Sequence, residues 1–165
     1  MKIEDFAGKS PVFRPETFFD GRLEGWGVME GATGAVQKRF TVAAEGHAAA
    51  EGGRIRYRET WTFDDGHVDT LDWEIWREAD GGYAGSEARS TGEAEGEQAG
   101  CAFHWRYSRD TPQPDGKSIR LNFDDWFFRI DNDGYVAKGT AGRLGLPFAT
   151  AYVTYRKLPA SDGLA

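Results

Sequence analysis

The residues of this chain best suited to chemistry are charges whose spacing sets them among hydrophobic neighbours. In IRYRETWTF, Glu59 shares alternate positions with Tyr57 and Trp61, and in LDWEIWR, Arg77 continues the series Leu71, Trp73, Ile75. In IRLNFDDWFFRI, one alternate set is Ile119, Leu121, Phe123, Asp125, Phe127 and Arg129; the other is Asn122, Asp124, Trp126 and Phe128. Successive side chains of a strand point to opposite faces, so only one of the two adjacent acids faces inward. A charge taken out of water has to be paired or hydrogen-bonded to offset desolvation. The pattern predicts an interior cluster of Glu59, Asp125, Arg77 and Arg129. The cluster has two readings: internal salt bridges, or arginines holding a carboxylate or phosphate head while Tyr57, Trp61, Trp73, Phe103 and Trp105 enclose an apolar body. A bulge in either strand reverses the facing of every later side chain.

Signatures of other chemistries are thin. The histidines His47, His67 and His104 are far apart in sequence, with neither HxH nor HExxH spacing, so no metal ligand is assigned. The segments Asp64-Asp65-Gly66 and Asp131-Asn132-Asp133-Gly134 resemble fragments of calcium loops but lack the later bidentate Glu, and they read as turns. There is no nucleophile elbow or phosphate loop, and GSEARSTGEAEGEQAG lacks GxGxxG. No catalytic residue and no cofactor is assigned on this basis. A clustered acid–base pair in an accessible pocket is the observation that brings an enzyme forward. The 6 Trp, 6 Tyr and 11 Phe mostly alternate along strands, which places them in a core before a carbohydrate platform.

The elements that position these residues follow from composition and periodicity. A chain of 165 residues, 39% hydrophobic and 28% charged, describes one domain able to bury a core. The net charge of −7, with no clustered cations, argues against nucleic acid as partner. The lone Cys101 forms no intrachain disulfide. No stretch is long and apolar enough to span a membrane, and the first residues carry no export signal, so the chain as written reads as soluble. Residues 1–24 are expected to be irregular, with one helical turn in PETFFDG acting as a lid or plug; 25–158 form the body and 159–165 a tail. Strands are expected from Gly25, with Trp26 and Val28 alternating; from Val36 to about residues 48–50; over 55–63; and to Ile75 and beyond. Further strands are expected over Tyr83–Thr91, Glu93–Tyr107, Ile119–Ile130, Tyr135–Thr140 and Phe148–Lys157, with RDTPQPDGK as a loop. The 22 glycines fall mainly at the turns between them. Without helical crossovers, the simplest fold is all-β, an antiparallel meander of about 8–10 strands closed into a barrel, because closure removes the sheet edges.

The segments FFDGRLEGWGV, QKRFTV, YRETWTFDDG, GEAEGEQAGCAFHWRY, NFDDW and YVTYRKL together resemble a bacterial family of domains of unknown function, number 3833. Its members are commonly envelope lipoproteins or secreted proteins. The resemblance runs from about Phe18 to Lys157 and implies a lipocalin-like barrel, with Glu59, Trp105, Tyr107, Asp124, Asp125 and Trp126 among the matching positions. Together with the parity pattern, it sets the candidate ligand-binding residues as Glu59, Trp61, Trp73, Arg77, Trp105, Tyr107, Asp125, Trp126 and Arg129. The expected function is binding of a small lipophilic molecule with a polar or anionic group inside the barrel. The alternative is a packed barrel serving as a structural or protein-interaction module of the bacterial envelope or periplasm.

Overall fold

Long alternating runs punctuated by glycine turns fold here into one continuous antiparallel ladder. The computed structural model describes residues 1–49, 53–113 and 115–160. Ten strands follow one another: β1 (Gly21–Gly31), β2 (Val36–Ala48), β3 (Ile55–Phe63), β4 (Val68–Arg77), β5 (Tyr83–Ser86), β6 (Ala94–Ala99), β7 (Ala102–Pro112), β8 (Ser118–Arg129), β9 (Gly134–Arg143) and β10 (Leu146–Lys157). Each pairs with its neighbours in sequence, and β1 pairs with β10 from Leu23↔Lys157 to Gly31↔Ala149, closing the barrel. This is the all-β meander barrel that the periodicity predicts.

Several boundaries differ from expectation; the strand expected over Tyr83–Thr91, for one, ends at Ser86. Strand β1 begins at Gly21 and its inner face is Leu23, Gly25, Gly27 and Met29, while Trp26 stands on the outside at 47% exposure. The expected strand Glu93–Tyr107 is two strands, because Gly100, at φ +50°, and Cys101 make a two-residue reversal between the paired Ala99 and Ala102. Strand β7 then runs on through part of the expected RDTPQPDGK loop to Pro112, since Ser108 to Pro112 pair with Ser118 to Asn122 of β8. The expected continuation of β2 to Ala50 lies outside the described residues, as does the tail from 161.

The N-terminal segment closes one end. A single helical turn, α1 (Pro15–Phe18), starts on proline, whose missing N–H is unpaired in a first turn anyway. It delivers Phe13, Phe18 and Phe19 into the barrel, all buried. Phe13 stacks on Phe103 at 5.5 Å, Phe18 meets Tyr135 edge-on at 4.8 Å, and Phe19 meets Tyr57 at 4.8 Å. Polar clamps hold this plug. Lys157 Nζ donates to the Phe18 carbonyl at 2.9 Å and to the Asp20 carbonyl. Arg129 Nη1 donates to the Val12 carbonyl at 3.0 Å. The 3-10 turn Ile3–Phe6 lies against the outer wall, with Phe6 beside Trp126 and Phe128.

Deleting a fully buried ring leaves a cavity that a closed barrel cannot collapse, so Phe18→Ala is expected to destabilise by about 3–5 kcal/mol. Trp26→Ala on the outer wall should cost under about 1 kcal/mol. Urea midpoints of the two variants check the contrast, and equal losses would contradict the plug's role in stability.

Candidate binding chamber

The plug fills one half of the barrel, and small side chains leave the other half open. Ala137, Gly139 and Ala141 of β9 face Val153, Ala151 and Ala149 of β10 in register, so one wall contributes almost no volume. Opposite it stand Trp61, Phe63 and Leu71, with Phe123 and Phe127 alongside. The cavity measures about 130 Å³. It runs from Phe127 and Tyr155 at mid-barrel toward Met29, Phe63, Asp69, Ala141 and Ala149 near the unplugged end. A second void of about 20 Å³ lies beneath it, against Phe18, Phe19, Tyr57, Trp73 and Trp105. Glu59, Tyr107, Asp125 and Phe127 line both voids and form a waist between them.

The waist brings two acids into an apolar interior. Asp125, not Asp124, faces inward, and its carboxylate occupies the space over Gly139, where a Cβ would come within 2.6 Å of Oδ1. Burial first and then the charge of Glu59 push Asp125 up to about 8, opposed by the nearby Tyr107 hydroxyl. Burial likewise pushes Glu59 up to about 7, opposed by the Trp61 indole and by Arg109. The two carboxyls repel each other when both are charged, so they titrate as a pair that holds its last proton above the usual carboxylate range. The Trp61 Nε1–H lies near enough to act on Glu59 yet meets no acceptor at hydrogen-bonding geometry, and the buried Tyr57 hydroxyl is also unpartnered. Tyr57, Tyr107 and Tyr155 are raised well above the usual phenol value, first by burial, and stay neutral.

Nearer the open end is an ionised belt. Asp69 accepts from Arg109 Nη2 at 2.8 Å and from Arg89 Nη2 at 2.9 Å. Burial works to raise Asp69, but the two guanidinium groups outweigh it and hold the carboxyl below its ordinary value. Arg89 also donates to the Thr70 carbonyl at 2.7 Å and approaches Glu87 Oε1 at 3.3 Å. The Arg109 side chain is only 5% exposed and lies over the Phe123 ring. Among the described residues its Nε and Nη1 have no hydrogen-bond partner.

Of the residues expected at the site, Glu59, Trp61, Tyr107 and Asp125 line the main cavity, and Trp73 and Trp105 line the smaller void. Three are elsewhere. Arg77 has the expected parity, but its strand ends there, and the side chain is exposed over Tyr83. Arg129 is spent at the plugged end on the carbonyls of Val12 and Asp131. Trp126 is on the outer wall, stacked on His104 with centroids 4.0 Å apart and donating to Asp124 at 3.0 Å. The interior arginine is Arg109, placed by sequence reasoning in a loop; the series Phe103, Trp105, Tyr107, Arg109 carried the signal. Asp69 was likewise legible as the first member of Asp69, Leu71, Trp73, Ile75. Among the described residues no group of His, Cys, Asp and Glu is arranged to hold a metal ion, and no helix is long and apolar enough to cross a membrane.

The raised acids make stability depend on pH with a definite sign. Their folded pKa values exceed the unfolded ones, so the folded state holds protons that the unfolded chain releases. Below about pH 4 both states are protonated and nothing is lost; as pH rises toward 7 for Glu59 and 8 for Asp125, stability falls. Each group contributes a slope of about 1.4 kcal/mol per pH unit inside its window. Urea unfolding of wild type from pH 5 to 9 should show this decline, and Asp125→Asn should flatten it and be the more stable protein at pH 9. A wild-type curve flat over that range would contradict the shifts.

No curated protein matches the chain. A family of proteins of unknown function, DUF3833, matches over residues 1–157, which takes in the plug, all ten strands and every residue of the chamber. The chain belongs to the DUF3833 family.

Proposed function

We propose that the barrel binds a small lipophilic molecule whose polar head accepts hydrogen bonds from Arg109. The observation that carries this reading is the guanidinium itself, buried beside an apolar cavity with Nε and Nη1 unpartnered. Unsatisfied donors on a buried cation cost several kcal/mol, roughly, unless an acceptor reaches them. Asp69 supplies one acceptor from one side only. A carboxylate or comparable anionic head supplies the rest, with the Trp61 N–H as a further unpartnered donor. The apolar body then lies along the Ala137, Gly139, Ala141, Ala149 and Ala151 wall against Phe63, Phe123 and Phe127. The raised carboxyls of the waist suit such a guest, since below about pH 7 they hold protons and add donors rather than two negative charges.

A packed barrel acting as an interaction module is the second reading, supported by an outer patch on which Trp26 is 47%, Tyr152 40% and Val136 38% exposed. The cavity favours the first. A place in a bacterial periplasm or envelope, and a lipocalin-like kinship, belong to the same proposal and rest on the sequence resemblance.

Native mass spectrometry after mild purification, with uptake from a mixed bacterial lipid extract, tests the reading. Wild type and Arg77→Met are expected to carry a stoichiometric guest. Arg109→Met should bind about 10- to 100-fold more weakly, and Ala151→Phe, which fills the cavity, should not bind at all. Uptake undiminished in Ala151→Phe, or none by wild type, moves the weight to the interaction module.

A further inference from the structure

Glu59 and Asp125 stand on opposite walls of the chamber. Around the closed order of ten strands, β3 and β8 are five steps apart in either direction, so the two acids project toward the same central space. They line both voids, and anything seated at the waist lies between them. The Tyr107 hydroxyl, from β7 next to Asp125, lies near enough to act on that acid. The other titratable or charged groups facing this space are Tyr57 from β3, Asp69 from β4, Arg109 from β7 and Tyr155 from β10. Among the described residues no serine, threonine, cysteine, lysine or histidine lines either void, so the lining offers carboxyls and phenols as its proton-transfer groups. The arrangement sets two carboxyls, one able to take a proton and one able to give one, across a space with largely apolar walls.

We propose that this chamber is also an active site, in which Glu59 and Asp125 shift a proton along a small apolar β,γ-unsaturated ketone and convert it to the conjugated isomer. The inference rests on the binding reading for its apolar pocket and goes beyond it in assigning a reaction. Glu59, as carboxylate, removes a proton from the carbon between the carbonyl and the double bond. The C–H electron pair becomes the new C=C bond, and the carbonyl π pair moves to oxygen, which takes the Asp125 proton. Collapse of that dienol returns the oxygen's proton to Asp125. The γ-carbon takes the proton held by Glu59, so both acids are restored and no co-reactant is consumed. Placement supports these roles: burial raises both carboxyls toward neutrality, so the pair can hold one proton between them, and the Tyr107 hydroxyl beside Asp125 puts the donor function on that wall. Tyr107 is a positioning residue that orients Asp125.

The test is 3-cyclohexen-1-one with the full chain in D2O, followed by proton NMR, with binding of the ketone read in the same samples by saturation transfer. Wild type is expected to form the conjugated isomer with the substrate's own hydrogen, carried across by Glu59, at the γ-carbon, and with a rate maximum between about pH 7 and 8. Glu59→Gln should slow the reaction by at least about 100-fold while still binding the ketone. Asp125→Asn should also bind, slow the reaction and remove the alkaline limb, and Ala151→Phe should neither bind nor react. A wild-type rate no higher than that of Ala151→Phe overturns the inference, whether or not the ketone binds. If the lipid-extract experiment nevertheless shows a guest lost in Arg109→Met, the binding reading stands and only the reaction falls.

Discussion

Closure of the sheet is the constraint on which the rest depends. Pairing of β1 with β10 removes both edges of a ten-stranded ladder and turns every second side chain into a shared interior. Once the ring is closed, residues remote in sequence become opposite walls, and the volume between them is set by what the strands carry inward. Here the distribution is uneven. Aromatic rings crowd one half, where Phe13, Phe18 and Phe19 enter from outside the barrel to complete the packing. Alanine and glycine on two neighbouring strands thin the wall of the other half. The cavity results from that asymmetry of side-chain size, with no distortion of the ladder needed to make it.

The polar groups inside separate by what surrounds them. Asp69 has two guanidinium groups within 3 Å, and their attraction exceeds the cost of burial, so it stays ionised. Glu59 and Asp125 have weaker compensation and each other's proximity, so burial prevails and both hold protons into the neutral range. The same desolvation therefore gives opposite outcomes along one barrel axis, decided by the number and distance of cations. Arg109 links the two levels: it neutralises Asp69 while acting on both waist acids, and it still has donors free. An apolar chamber with neutral acids at its base and a partly satisfied cation near its mouth is suited to a guest of mixed character.

Much of this architecture was readable from period-two patterning. The strands of IRYRETWTF and IRLNFDDWFFRI, the turn at Asp64-Asp65-Gly66 and the inward Glu59 all follow from local alternation. The plug was legible too, because Pro15 starts a helical turn and Gly21 ends the segment. What failed failed locally. The Gly100-Cys101 reversal sits inside an apolar run and hides a hairpin, and the polar residues after Tyr107 imitate a loop although Ser108 to Pro112 pair with β8. That pairing is why Arg109 was missed, and the end of β4 is why Arg77 was overvalued: parity tells which way a side chain points, not whether the strand still encloses it there.

By itself, the sequence determined the strand periodicity, the antiparallel meander and the faces of Glu59, Trp61, Trp73 and Trp105, because those depend on neighbours one or two residues away. Only the tertiary structure decided that Asp125 rather than Asp124 enters the barrel, that Arg109 meets Asp69 across 40 residues of chain, and that Arg129 serves the plug. It also decided that the interior is partly hollow. Each of those facts depends on where the ring closes and on which residues become neighbours across it, and no local pattern carries that information.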